Sequence, residues 1–236
     1  MQRIILYHLI ILTSFQLGCN NNNDLQSTEL ASMQNNVLNQ LTNEDISEFK
    51  WLNEPKTFDI KDGGLKVVAE KETDFFNNPE DKKKTATAPV LYKELTGDFV
   101  ATALVKPNFS SLWNAVSLMD HIDDDNWIKF AFENSDATGK SIVSVVTKNI
   151  SDDANGVIID EQDQIWLKLI RKDNNYSMLW SKNGKDFKMA RLSTLPIADS
   201  VKIGIEAQSP VGISATHEIV YFEIIQTTVK DLRKGV

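Results

Sequence analysis

The sequence predicts an all-β protein built from two packed antiparallel sheets, and three observations predict it. From Phe49 onward the chain is a series of short β-like runs separated by turn residues: Gly63-Gly64, Gly97-Asp98, Asn174-Asn175, Asn183-Gly184, and Pro210 through Gly212. Within the clearest run, Trp127, Lys129, Ala131 and Glu133 alternate with Ile128, Phe130 and Phe132, the period of two at which successive side chains point to opposite faces of a sheet. From Phe49 onward no helical periodicity runs over more than two turns and no helical segments alternate with the strands, so a parallel α/β sheet is not expected. About a dozen strands in roughly 180 residues close as a barrel or pack as two sheets. Two sheets fit better, because Trp166, Leu169, Leu179, Trp180, Ile203, Ile205, Tyr221 and Phe222 are bulky enough to fill the space between stacked sheets.

Taken in order, the chain opens with Arg3, an apolar run over residues 4–17, then Gly18 and Cys19. The run is too short for a membrane span and polar residues follow at once, the layout of a secretory signal. Its LGC ending resembles a bacterial lipoprotein signal, with residues 1–18 removed and Cys19, the one cysteine of the chain, taking the lipid; Gln16 stands where such signals usually have Leu. The resemblance implies export to the bacterial cell envelope, at the outer membrane, and contact with the membrane through the lipid anchor alone. Residues 19–44 read as a polar tether, in which Leu30, Met33, Val37, Leu38 and Leu41 recur at helical spacing and predict a short, loosely packed helix over residues 27–41. The sandwich domain is expected over residues 45–228 and a short tail over 229–236. Its runs are FKWLNEPKTFDI, LKVVAE, YKELTGDFVATALVKP, AVSLMD, NWIKFAFE, SIVSVVTKN, IWLKLIRKD, YSMLWSKNG, KMARL, VKIGIEAQSP and HEIVYFEII, with Lys82, Lys83 and Lys84 at a solvated tip.

Composition narrows the function. The 236 residues carry a formal charge of −8, 33 acidic against 25 basic, with no Arg-rich stripe interleaved with aromatics, which argues against a nucleic-acid partner. His8, His121 and His217 are dispersed and no second cysteine exists, so a zinc site is not predicted.

The chemistry converges on DHIDDDNWIKFAFE, residues 120–133. One face of its strand is apolar; the other presents the Trp127 indole, the Lys129 ammonium and the Glu133 carboxylate in a row. Sugars are recognised by flat apolar faces together with carboxylates and amides that accept from vicinal hydroxyls. That face therefore reads either as the floor of a binding groove or as a rim residue beside an exposed ion pair. The acidic HIDDDN turn reads either as a solvated loop or as a Ca²⁺ site; no glycine follows to shape an EF-hand. No other cofactor is expected.

At WLNEP (residues 51–55), LKV (65–67), TDFF (73–76) and the Trp127 to Glu133 strand, the chain resembles the concanavalin A-like sandwiches named after a fungal regulator of enolase, a domain of unknown function. The likeness continues through SVVTKNISD, LWSKNGKDFKMARL and GIEAQSP, spanning about residues 47–226. It implies a concanavalin A-like β-sandwich. Phe76 replaces the family's usual Trp, NNPEDKKK stands where a threonine-histidine-tyrosine segment is usual, and ISDDANG lacks the family's turn tryptophan. Asp74 and Phe76 join Trp127, Lys129 and Glu133 as the expected ligand-binding set, suited to a carbohydrate or similar polyhydroxylated ligand.

Catalysis is not predicted. The single-strand Glu-x-Asp-x-x-Glu arrangement of one class of sandwich glycosidases has its nearest counterpart in Glu161-Gln162-Asp163, where an indole, Trp166, takes the final acid's place. A carboxylate pair from separate strands, for instance Asp74 and Glu133, stays open, as does a purely structural or protein-interaction role. The expectation is a lipid-anchored, non-catalytic carbohydrate-binding sandwich.

Overall fold

The structure, a computed structural model, describes residues 35–236. The signal segment, Cys19 and the first part of the expected helix lie outside the described residues. The rest is nearly all strand. In chain order these are β1 (Lys50–Leu52), β2 (Phe58–Lys61), β3 (Gly64–Ala69), β4 (Phe75–Asn77) and β5 (Lys84–Ala86), then β6 (Val90–Thr96), β7 (Phe99–Lys106) and β8 (Ala115–Asp123). There follow β9 (Asn126–Ser135), β10 (Gly139–Lys148), β11 (Ile150–Ile158) and β12 (Ile165–Lys172). The last are β13 (Asn175–Ser181), β14 (Lys188–Thr194), β15 (Ser200–Gln208) and β16 (Ala215–Ile225).

Two seven-stranded antiparallel sheets form the sandwich. Sheet A runs β1-β6-β15-β8-β9-β10-β11 and sheet B runs β14-β13-β12-β7-β16-β3-β2, while β4 and β5 make a separate hairpin. The alternation in β9 sets the layering: Ile128, Phe130 and Phe132 enter the core shared with Leu167, Leu169 and Phe222 of sheet B, and Trp127, Lys129, Ala131 and Glu133 take the outer face of sheet A. Leu169, Trp180, Ile203 and Ile205 fill the inter-sheet space as the sequence predicts. Trp166, Leu179 and Tyr221 do not. Each lies one residue out of phase with a core position, so it faces the far side of sheet B, where Trp166 and Tyr221 stack with ring centroids 5.2 Å apart.

Three further departures share a cause, contacts with neighbouring elements that override local composition. The ISDDANG segment, composed of weak strand formers, is edge strand β11, because β10 offers it a full ladder from Lys148↔Ile150 to Val143↔Asn155. Residues 35–44, assigned to the tether, pack onto the domain instead. Asn36 donates to Gly63 O (2.7 Å) and accepts from Phe222 N (3.1 Å), and caps a single 3-10 turn, Val37–Gln40, that buries Leu38 and Leu41 in the main core. At the other end Val229 and Leu232 pack against Ile170 and Leu179, and Lys172 Nζ holds Val229 O at 3.0 Å.

A candidate ligand pocket on the outer face of sheet A

The register of sheet A brings the polar side chains together. Lys129 on β9 pairs with Met119 of β8 on one side and Val145 of β10 on the other, and Val145 pairs in turn with Asp153 of β11. Two residues along β9, Ala131 lies opposite Ser117, which pairs with Glu206 of β15; Glu133 lies opposite Ala115, which pairs with Gln208. All of these share the outer face because each strand has period two.

The β4–β5 hairpin covers one end of this face. Phe75 inserts edge-on against Trp127 (5.9 Å, 78°) and His121 (6.0 Å, 79°) and seals a second, smaller hydrophobic cluster. The hairpin is pinned: Asn77 N donates to Ser151 Oγ (2.9 Å) and Asn77 Nδ2 to the carbonyls of Asp124 (3.1 Å) and Asn149 (3.0 Å), while Lys84 pairs with Asp125. Trp127 is consequently 0% exposed and unable to stack on a ligand, contrary to the sequence expectation. The substituted NNPEDKKK segment supplies the turn of the hairpin that covers it.

Beside the hairpin opens a pocket of about 400 Å³. Asp74, Phe76, Lys129 and Glu133 line it, so four of the five expected residues meet. Trp113 and Gln208 complete the end near Glu133, and Asp136, Val145 and Asp153 the far wall. Trp113, in the loop before β8, is the exposed aromatic that sequence reading missed; it is 37% exposed and its backbone is left-handed, φ +60°. It is held there by its own N–H on Asn134 O (2.7 Å) and its carbonyl on Gln208 Nε2 (2.8 Å).

Lys129 is 2% exposed and its ammonium spends three donors internally: on Asp74 Oδ1 (3.1 Å), Phe75 O (2.9 Å) and Gln208 Oε1 (2.7 Å). Lys129 and Glu133 are therefore neither exposed nor paired with each other. Burial pulls the Lys129 ammonium toward neutrality, but Asp74, Glu206 and Glu133 outweigh it and hold it above the ordinary lysine value. The carboxyls move the other way. Burial pushes Glu133 up to about 8 against the pull of Lys129, and pushes Glu206 up to about 7 against Lys129 and the Ser117 hydroxyl that donates to it. Burial also raises Asp153, against Lys129.

The acidic turn has internal hydrogen bonds besides its contacts with Asn77 and Lys84. Asp123 Oδ1 accepts from Asp125 N (2.8 Å) and Asn126 Nδ2 (2.9 Å), closing the β8–β9 hairpin, and no group of three or more His, Cys, Asp or Glu side chains able to hold a metal occurs among the described residues. A second depression of about 440 Å³ lies near Phe109, but its charges are already matched, Lys106 with Glu218 (3.2 Å) and Lys140 with Asp163. Unlike that depression, the pocket over β9 leaves Glu133 and Asp136 without an ion-pair partner among the described residues.

Comparison with known proteins agrees with the fold. The "Regulation of enolase protein 1" of Saccharomyces cerevisiae is 26% identical over 168 residues, covering 71% of this chain and 84% of that protein. A crystal structure of a functionally unknown protein from Saccharomyces cerevisiae superposes with a TM-score of 0.73 at 22% identity, covering 78% of this chain and all of the other. At lower identity the same fold occurs in the GH43 protein BlXynB from Bacillus licheniformis (TM-score 0.61, 14% identity, 76% of this chain and 37% of that one). It also occurs in the exoplasmic/lumenal domain of VIP36 in a Ca²⁺/Man3GlcNAc-bound form (TM-score 0.53, 9% identity, 81% and 89%). Residues 51–227 match the family described as a protein of unknown function (DUF1349), and the chain belongs to that family.

Proposed function

We propose that this protein is a non-catalytic carbohydrate-binding sandwich whose ligand lies over β9, between Phe76 and Trp113. The observation that carries the reading is a pocket of ligand size in which two aromatic side chains flank carboxylate acceptors, the combination that pyranose rings and their hydroxyls require. The GH43 protein and the Man3GlcNAc-bound domain among its structural neighbours support a carbohydrate ligand at the level of fold. We further propose export and lipid attachment at Cys19, on the sequence of residues 1–19, placing the pocket at the bacterial cell envelope. A Cys19→Ser variant that stays in the membrane fraction would refute the attachment.

The test of binding is calorimetric titration of the full chain against an oligosaccharide panel, repeated with Trp113→Ala. Removing an indole from a partly exposed rim leaves the fold within about 0.5 kcal/mol, while ligand affinity falls at least about tenfold. A panel without a single binder, or unchanged affinity in Trp113→Ala, removes the reading.

Hydrolysis is the second reading, favoured by one observation: Glu133 retains a proton near neutrality in the same pocket as Asp74. Against it, Asp74 Oδ1 is already engaged by Lys129. Reducing-sugar release that is lost in Glu133→Gln would replace binding with catalysis.

A further inference from the structure

Resting on the carbohydrate reading, the pocket's hydrogen-bonding inventory says which kind of sugar it takes. Its one cation, Lys129, has three donors and uses them on Asp74, Phe75 and Gln208, so it offers none to a ligand and does not select an acidic one. The Gln208 amide, the other polar donor at that end, is spent on Trp113 O. Besides the Trp113 indole and the Asn78 side chain, what faces the open space is acidic: Glu133 from β9, Asp153 from β11, and Asp136 from the β9–β10 turn. Glu133 is the decisive one. It is 6% exposed, lines the pocket, and its ionisation is set by burial and neighbouring charges without a hydrogen bond to any described residue. A carboxyl that deep, with its oxygens turned to the cavity, is an acceptor awaiting a donor.

The groups facing Glu133 come from every packed element: Lys129 on its own strand, Asp74 ahead of β4, Glu206 from β15 and Asp153 from β11. Four carboxyl groups, counting Glu133, surround one ammonium that is already satisfied. A neutral hydroxyl answers the acceptor need; a second positive charge answers it and also lets the protonated Glu133 ionise, and two aromatic faces, Phe76 and Trp113, stand beside the acids to receive it.

We infer that the pocket selects an amino sugar with a free ammonium group, bound with the ammonium against Glu133 and Asp153 and the ring between Trp113 and Phe76. Acetylating the amine removes the charge, adds bulk and leaves Glu133 without its ionic partner. The proton that Glu133 holds in the empty pocket leaves when the ammonium arrives, so binding is coupled to proton release.

Three β-1,4-linked tetramers that differ only at carbon 2 test this with the full chain: glucosamine, N-acetylglucosamine and glucose. Titration calorimetry is run at a mildly acidic pH, below the Glu133 midpoint of about 8 and where the sugar amine is charged, in two buffers of different ionisation enthalpy. The glucosamine tetramer is expected to bind at least about tenfold tighter than either neutral one, 1.4 kcal/mol, and to release protons that the neutral tetramers do not. In Glu133→Gln, which keeps the shape of the protonated carboxyl, the preference falls toward unity and the proton release disappears. Asp153→Asn, on an edge strand, is a second reporter and reduces the preference by a smaller factor. Neutral tetramers binding as tightly as glucosamine would overturn the amine selectivity and leave the carbohydrate reading standing. Binding by none of the three would overturn the selectivity, and with the wider oligosaccharide panel also silent, the carbohydrate reading with it.

Discussion

Strands β8 and β9 turn a charged cluster to each side of sheet A, and the two clusters end differently. On the inner side Asp120 is buried between the sheets near Arg171 and Tyr176, and burial pushes its carboxyl up to about 7 against the pull of both. Arg171 spends its guanidinium on the backbone carbonyls of Asp173 (3.0 Å), Gly97 (3.3 Å) and Ala198, tying the end of β12 to the β6–β7 turn and the loop before β15. On the outer side Lys129 is equally buried and equally satisfied, but the carboxyls around it, Glu133 and Asp153, open onto a pocket. Burial of charge does not by itself mark a site. What marks it is where the counter-groups lead: to backbone in one cluster, to open space in the other.

Lys129→Met and Arg171→Met test that difference most severely. Each leaves buried partners without their cation and costs about 3–5 kcal/mol in urea unfolding. Lys129→Met also loses ligand affinity, because Asp74 and Gln208 lose the group that positions them, whereas folded Arg171→Met protein binds normally. Equal loss of affinity in both would erase the distinction.

The pH dependence comes next in size. Asp120 rises from 3.8 to about 7, Glu206 from 4.5 to about 7 and Glu133 from 4.5 to about 8, so the folded chain holds protons that the unfolded chain releases. Stability from these groups therefore falls as pH rises and is lost once pH passes their folded values. Burial lowers His217 from 6.5 to about 4, and this group opposes the carboxyls only below about 6.5. On acidifying from pH about 8 to about 6.5 the chain gains about 2–3 kcal/mol, read from urea midpoints. Asp120→Asn flattens part of that slope without touching affinity; Glu133→Gln flattens part of it and changes selectivity. A flat profile over this range would mean that none of the three carboxyls is held as buried as described.

The smallest effect falls on an exposed pair. Lys84 and Asp125 are in contact with side chains about half exposed, and Lys84→Ala costs less than about 1 kcal/mol. A larger loss would show that the hairpin depends on this ion pair more than on Phe75 and Asn77.

The sandwich was legible because alternation is local: the apolar face of NWIKFAFE and the bulky residues of IWLKLIRKD and VKIGIEAQSP declare sheet faces without knowledge of partners. The site was legible where the same rule applies, at Lys129 and Glu133. It also applies to Glu206 and Gln208, opposite Ile205 and Ala207, and the sequence reading passed over them. Trp127 was misjudged because its cover, Phe75, arrives from a hairpin some fifty residues away. Trp113 sits in an aperiodic loop, SSLWNA, and its place at the pocket depends on a hydrogen bond from Gln208, near the end of β15. Asp153 was hidden because an edge strand of Ser, Asp, Asn and Gly has no local signature once its neighbour supplies the ladder.

The left-handed backbone at Trp113 has an evolutionary reading. A glycine there would relax the chain, and tryptophan keeps the position at a conformational cost of roughly 1 kcal/mol. Backbone conformation alone favours glycine over tryptophan here. A lineage that has lost its ligand is therefore expected to drift to glycine at this position first, while one that retains tryptophan there is under pressure from something other than folding.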